Sequence, residues 1–363
     1  MSSAIAALWS LGQSPWYDNL TRSMLRDGGL AALVRDDGIR GVTSNPTIFE
    51  HAIRAGAGYD DALRAAGDRD PTATYWDVVC ADVAEAADLL ADVHDASSGA
   101  DGFVSVELDP HLAHDTAGTV AAAAELWERL GRRNVMIKIP ATEAGLPAIT
   151  ASVAAGINVN VTLIFARARY EAVVDAYLTG LEQRVAAGDP VAGVHGVASF
   201  FVSRVDTETD RRLPEGSPWR GRAAVANARL AYQVFKQRFA GPRWEALASR
   251  GANLQRPLWA STSTKNPAYP PTAYIEPLVG RHTVNTLAPA SIEVLRRDPP
   301  RWRADTVEEG LDEAHACFAA LDEAGIDFDD VTDTLEREGV AAFARSFDAA
   351  VEALAGRAEL LRR

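Results

Sequence analysis

Cysteine and lysine are both scarce in this chain. The two cysteines, Cys80 and Cys317, lie far apart in helical-looking stretches without metal-type spacing, which argues against a disulfide framework or a thiolate metal centre. No run of about 18 apolar residues occurs, so no membrane-spanning helix is expected. Met1 to Leu11 lacks the basic start, long apolar stretch and cleavage site of a secretory signal, and a cytoplasmic location is the default expectation. Neither a Walker loop nor a GxGxxG is present, so no nucleotide site is suggested. His51, His111, His114, His195 and His282 show no metal-ligand spacing; they read as structural, and no metal is expected. Repeats, low-complexity tracts and strong linkers are also missing, so residues 1–363 are expected to form one domain.

Positive charge is in deficit. The formal net charge of −14 argues against nucleic acid or an anionic membrane as the main partner. It leaves room for a phosphorylated small molecule, because a few local cations and helix N-termini bind phosphate even in an acidic protein. Of 36 basic residues only three are Lys, at 138, 236 and 265. One of them is set into the apolar, β-branched run Asn134-Val135-Met136-Ile137-Lys138-Ile139-Pro140, which reads as a strand. A lysine there either snorkels to water or is used chemically. Arginine does not form imines under physiological conditions; a desolvated lysine does.

Eight short strands are predicted: Pro15 to Leu20, Ile39 to Ser44, Phe103 to Leu108, Asn134 to Pro140, Ile157 to Ile164, Gly196 to Val205, Pro257 to Thr262 and His282 to Leu287. Helical patterns separate them, among them Tyr75 to Val93, a helix after His114-Asp115-Thr116 running to about Gly131, and Arg167 to Ala187. Beyond Pro289 only helices are expected. Strands alternating with helices imply a parallel sheet, either open and doubly wound or closed as a barrel. Polar side chains decide between the two. Glu107, Lys138, Asn160 with Thr162, Ser199 and Ser261 fall at or near the C-terminal ends of strands three to seven. An open sheet scatters such groups under helices; a barrel gathers them at one rim. The expected fold is a single (β/α)8 TIM barrel, with helical insertions near 50–100 and 206–256 and added C-terminal helices.

Strand parity puts Met136 and Lys138 on one face, and points Lys138 where Glu107 and Asn160 point. Imine chemistry needs a proton carrier, and Glu107 with Thr162 can hold and polarise a water. A buried Glu107–Lys138 salt bridge is the structural alternative. Asn158 and Asn160 on one strand face each need partners, which a barrel-filling hydrogen-bond layer also provides. Asp18 reads either as a helix N-cap or as the acid/base that takes a hydroxyl proton as a carbon–carbon bond breaks. Arg204 and Lys265 are phosphate candidates, the latter following the hydroxyl-rich Ser261-Thr262-Ser263-Thr264; surface solvation is the alternative for both.

Several segments in fixed order resemble the transaldolase family. They are Gly41-Val42-Thr43-Ser44-Asn45-Pro46-Thr47-Ile48-Phe49-Glu50, the Lys138 segment, Ile157-Asn158-Val159-Asn160-Val161-Thr162-Leu163-Ile164-Phe165, the stretch Ala198 to Asp206, and Leu258-Trp259-Ala260-Ser261-Thr262-Ser263-Thr264-Lys265-Asn266-Pro267. The resemblance covers roughly residues 10 to 350 and is closest to the longer bacterial members. It implies a (β/α)8 barrel and a cofactor-free transferase of the pentose phosphate pathway. Such an enzyme moves a dihydroxyacetone unit from a ketose phosphate (sedoheptulose 7-phosphate or fructose 6-phosphate) to an aldose phosphate (glyceraldehyde 3-phosphate or erythrose 4-phosphate). By position, Lys138 matches the Schiff-base lysine and Asp18 the acid/base. Glu107 and Thr162 match the pair that places the catalytic water. Asn45 and Asn160 match contacts to the dihydroxyacetone part, with Ser199 and Phe201 lining the same region. Arg204 and Ser261 match phosphate contacts. Shorter members carry an arginine two residues after the Ser261 position; here Ser263 stands there, and Lys265 is expected to supply the charge. The expected partners are sugar phosphates, in a monomer or small homo-oligomer. The alternatives are an aldolase releasing free dihydroxyacetone through the same imine, a transaldolase-like enzyme for an unusual sugar, and a sugar-phosphate-binding barrel without turnover.

Overall fold

Parallel strands buried on both faces favour β-branched, apolar runs; the stretches Val135–Pro140 and Val159–Ile164 come nearest to that pattern, whereas Gln13–Asp18 and Gln255–Ala260 hold no β-branched residue. The structure, a computed structural model, describes residues 3–56 and 58–362. Its core is a closed parallel barrel in sequential order. The strands are β1 (Gln13–Asp18), β2 (Gly41–Thr43), β3 (Phe103–Glu107), β4 (Val135–Pro140), β5 (Val159–Ile164), β6 (Gly196–Phe201), β7 (Gln255–Ala260) and β8 (Thr283–Leu287), with β8 pairing back onto β1. Every residue of β4 and β5 is buried. Closure removes the sheet edges that an open arrangement would expose.

Register sets the site. Glu107 pairs with Lys138, Lys138 with Asn160, and Pro140 with Thr162, so these groups occupy neighbouring strands at the C-terminal end. At the opposite end, Asp101 is fully buried and accepts hydrogen bonds from Ser14, Trp16 (2.7 Å) and Arg40 (3.1 Å). This knot closes the barrel floor. Gly41 belongs to the same floor, because a Cβ there would lie 2.5 Å from the Trp16 ring.

Helices at Pro46–Arg54, Asp60–Ala66, Pro71–Leu89 and Ala91–Ala96 fill the long β2–β3 connection. Asp70 accepts from Ala73 N (2.9 Å) and Pro71 occupies the first turn, so the helix predicted from Tyr75 starts earlier and stops at Leu89. The C-terminal helix Phe328–Arg362 carries Leu335, Gly339, Phe343, Phe347, Ala350 and Leu354 at three- and four-residue steps, all buried. It packs on Pro46–Arg54, where Thr47 donates to Ser346 (2.9 Å), and it brings Phe343 to the barrel mouth. Among the described residues no helix is long and apolar enough to cross a membrane.

Three boundaries differ from expectation for local reasons. The strand predicted over Gly196 to Val205 stops at Phe201, and Ser203 already begins the helix Ser203–Arg212. The strand predicted over Pro257 to Thr262 ends at Ala260, because Ser261 turns into the left-handed region at φ 55°. The clean alternation from Ile157 to Ile164 breaks at Leu163, which has φ 59° and a register shift between Val161 and Ile164. Leu163 packs against Gly339 of the C-terminal helix, where a Cβ would stand 2.9 Å from its Cδ2.

Candidate active site

The C-terminal mouth holds a cavity of about 230 Å³. It is built in layers. At its base is Lys138, 5% exposed, whose Nζ donates to the Ser44 carbonyl (3.1 Å) and stands 3.1 Å from Oε2 of Glu107. This contact has the distance of an ion pair rather than the alignment of a hydrogen bond. Neither carboxylate oxygen of Glu107, nor Oγ1 of Thr162, accepts a hydrogen bond from the protein. Both groups therefore keep acceptor capacity in a buried setting, where a polar atom left unpartnered is costly. Burial raises the Glu107 carboxyl above its usual range, and the Lys138 charge opposes that rise.

Asp18 ends β1 and faces the same cavity. Thr21, not Asp18, caps the next helix, by accepting from Met24 N (3.3 Å). The N-cap reading of Asp18 therefore does not apply. Burial raises its carboxyl above the ordinary range; a hydrogen bond from Thr43 (2.7 Å) and the charges of Lys138, Lys265 and Arg204 pull the other way.

Asn45 combines two jobs. Its Oδ1 caps the helix Pro46–Arg54 by accepting from Ile48 N (3.1 Å), and the residue lines the cavity. Asn160 lies one layer behind: its Oδ1 accepts from Ser199 Oγ (2.6 Å) and its Nδ2 donates to Ser105 Oγ (2.9 Å). That chain orients Ser199 toward the cavity and leaves Asn160 one free N–H. Asn158, by contrast, is structural, donating to the Arg133 and Val135 carbonyls (2.8 and 3.1 Å) and accepting from His195 N (2.8 Å).

The rim is cationic. Arg204 lies over the Phe201 ring (5.5 Å to its centroid) at the start of the helix after β6. Lys265 donates to Ser263 Oγ (2.8 Å), and Ser261 lines the wall between them. Among the described residues neither cation has a carboxylate at ion-pair distance. Desolvation lowers the Arg204 guanidinium below its usual range. It also lowers Lys265, although much of that side chain is exposed; Arg204 nearby adds to the effect. Two unpaired cations beside hydroxyls make a receptor for a doubly charged oxyanion.

Nine of the eleven residues singled out from the sequence line this cavity; Glu107 and Asn160 back it. Thr43, Phe343 and His51 also line it and were not anticipated. His51, one of the histidines read from the sequence as structural, stands at the cavity wall. With Thr47 it forms an i, i+4 face on the helix capped by Asn45, and that spacing was the available signal. Phe343 gave no such signal, since it arrives from far along the chain. Among the described residues no group of three or more His, Cys, Asp or Glu side chains is arranged to hold a metal ion.

Comparison with known proteins places this geometry in context. The family model described as Transaldolase/Fructose-6-phosphate aldolase matches residues 15–354. A protein named Transaldolase from Acidothermus cellulolyticus is 48% identical over 369 residues, covering 100% of this chain and 99% of that protein. Another Transaldolase, from Parafrankia sp., is 49% identical over 355 residues, with 96% of each chain covered. Transaldolase 1 from Streptomyces coelicolor is 51% identical over 347 residues, covering 94% of this chain and 91% of its own length.

Proposed function

The chain belongs to the transaldolase/fructose-6-phosphate aldolase family, and on that premise we propose that Lys138 is the amine on which it carries a three-carbon ketol unit between sugar phosphates. Its activity is that of a transaldolase: a dihydroxyacetone unit passes from a ketose phosphate to an aldose phosphate.

Each step has a group to perform it. Lys138 Nζ, neutral when it attacks, adds to the ketone carbon of the donor. The resulting carbinolamine loses water with a proton supplied through Glu107, leaving an imine. Asp18 takes the proton of the hydroxyl next to the scissile bond; the bond's electrons move into the imine, and an aldose phosphate departs. The enamine left on Lys138 attacks the carbonyl carbon of a second aldose phosphate, whose oxygen takes the proton back from Asp18. A water between Glu107 and Thr162 then hydrolyses the new imine and frees Lys138. Burial that raises both carboxyls suits groups that must alternate between acid and base. Asn45 and Ser199, the latter set by Asn160, hold the ketol hydroxyls, with Phe201 beside them. Arg204, Ser261 and Lys265 bind the phosphate. The whole chain acts as one barrel domain on soluble sugar phosphates in the cytoplasm, as a monomer or small homo-oligomer.

The observation that carries this reading is Lys138 itself: a buried amine beside an under-bonded carboxylate, at the base of a cavity whose rim holds two unpaired cations. Borohydride with fructose 6-phosphate is expected to add a stable mass on Lys138. An unlabelled wild type, or equal labelling of Lys138→Ala, removes the mechanism. The family description also names an aldolase. A coupled assay with fructose 6-phosphate, with and without erythrose 4-phosphate, separates the two activities. Transfer requires the acceptor, whereas an aldolase releases free dihydroxyacetone without it.

A further inference from the structure

The two cations at the rim sit on different segments, neither of them a barrel strand. Arg204 is in the first turn of the helix Ser203–Arg212 after β6, and Lys265 is in the loop after β7. A phosphate gripped by both needs these segments held at a fixed spacing. Near the barrel, Ser203 N donates to the Ser261 carbonyl (3.0 Å) and the two hydroxyls meet at 3.0 Å. Further out, two tyrosines of the Lys265 loop reach back to two aspartates of the Arg204 helix. Tyr269 Oη donates to Asp210 Oδ2 (2.6 Å), and Tyr274 Oη donates to Asp206 Oδ2 (2.9 Å).

Each aspartate is anchored on its other oxygen. Asp206 Oδ1 accepts from Ala224 N (2.7 Å), and Asp210 Oδ1 accepts from Gly221 N (2.9 Å), at the approach to the helix Ala223–Arg238. Arg220 fixes that approach by donating to the carbonyls of Asp210 (2.6 Å) and Leu213 (3.1 Å). Gly221, at φ 71°, lies directly under the Tyr269 ring, where a Cβ would stand 2.7 Å away. The backbone is thus shaped to seat this tyrosine. Asp206, Asp210 and Tyr274 are buried, so their hydrogen bonds compete little with water.

We propose that Tyr269 and Tyr274 are positioning residues that lock the Lys265 loop onto the Arg204 helix, so that both cations address one phosphate without reordering when substrate binds. The inference rests on the phosphate reading of Arg204 and Lys265. A preassembled grip saves the ordering cost that a free loop would incur on binding. Loosening it should therefore appear in the affinity for phosphorylated substrate rather than in turnover at saturation.

The test is a double-mutant cycle in the full chain, with KM for fructose 6-phosphate, kcat and Tm as readouts. Tyr269→Phe removes one hydroxyl from a partly exposed loop residue. It is expected to raise KM about five-fold, with kcat within about two-fold. In a Lys265→Ala background the same change should raise KM by less than about two-fold, because the hydroxyl acts through the lysine. Asp210→Asn, which alters the other partner, should show the same split if Tyr269→Phe is poorly folded. A fall in Tm with unchanged KM, or equal effects in both backgrounds, overturns the clamp. If Lys265→Ala and Arg204→Ala themselves leave KM unchanged, the phosphate reading falls, and the clamp's role falls with it.

Discussion

Thr43 stands directly opposite Asp18 in the β1–β2 pairing, and its hydroxyl donates to Asp18 Oδ1 at 2.7 Å. The bond stabilises the charged carboxylate against the burial that pushes its pKa up. In the role proposed for it, as the base in carbon–carbon cleavage, Asp18 must be ionised, so the acid limb of the kcat/KM profile should follow its titration. Thr43→Val keeps the shape and deletes the donor. The carboxyl then stays protonated to higher pH, and the acid limb is expected to move upward by about one unit, the equivalent of one hydrogen bond. An unmoved limb would detach Asp18 from the rate-limiting base.

Glu107→Gln preserves volume while removing the charge 3.1 Å from Lys138. The expected loss in kcat is about 10²–10⁴-fold, the usual contribution of a positioned acid/base group. Borohydride trapping should still reach the same final extent, more slowly. If Glu107 served only as a buried counter-ion, removing it would mainly destabilise the fold, by about 3–5 kcal/mol. Parallel measurement of kcat and urea midpoint distinguishes these cases.

Much of this site was legible because strands have a period of two. Once Asn134 to Pro140 is read as a strand, Lys138 shares a face with Met136, and the same counting aligns Glu107, Asn160 and Thr162. Closure of the barrel follows from where those polar groups fall, and the structure agrees. Periodicity fails where backbone leaves the regular regions. At positive φ, Leu163 breaks the alternation within its strand and Ser261 ends its strand early, and nothing in residue type announces a left-handed leucine or serine. Contacts from distant segments were also invisible. Phe343 reaches the site through packing of the C-terminal helix, and Tyr269 ties the Lys265 loop to Asp210 of the helix after β6; local pattern encodes neither contact. Motif matching anticipated Lys265 but not the tyrosines that hold its loop.

Ser261 offers a separable test of strain and recognition. Its φ of 55° costs a non-glycine residue about 1 kcal/mol, and the residue lines the cavity wall proposed to receive the phosphate. Ser261→Ala and Ser261→Gly both delete the hydroxyl, but only glycine relaxes the backbone. Both are expected to raise KM for fructose 6-phosphate several-fold and to the same degree. The glycine variant should nevertheless be more stable than the alanine variant by about 0.5–1 kcal/mol. Equal stabilities would mean that the left-handed turn stores no strain.

His195 lies under the barrel floor, its ring centroid 5.1 Å from that of Phe103 and 6.3 Å from that of His94. Burial, with smaller contributions from His94 and Arg256, lowers its pKa from 6.5 to about 4. The unfolded chain therefore binds a proton between those values that the folded chain does not. Stability from this group is intact above about pH 6.5 and is lost as pH falls toward 4. At pH 5 the loss amounts to about 2 kcal/mol. His195→Leu replaces the ring with a group that does not titrate and leaves the His195 backbone N–H free to donate to Asn158 as before. Urea unfolding at pH 7 and pH 5 should show the wild type losing about 2 kcal/mol more than the variant between the two conditions. If both proteins lose the same amount, His195 takes up its proton as readily in the native state as in the unfolded chain, and the acid sensitivity of the fold belongs to carboxylates that their arginine partners hold below the usual range, such as Asp60, Asp88, Glu182 and Glu208.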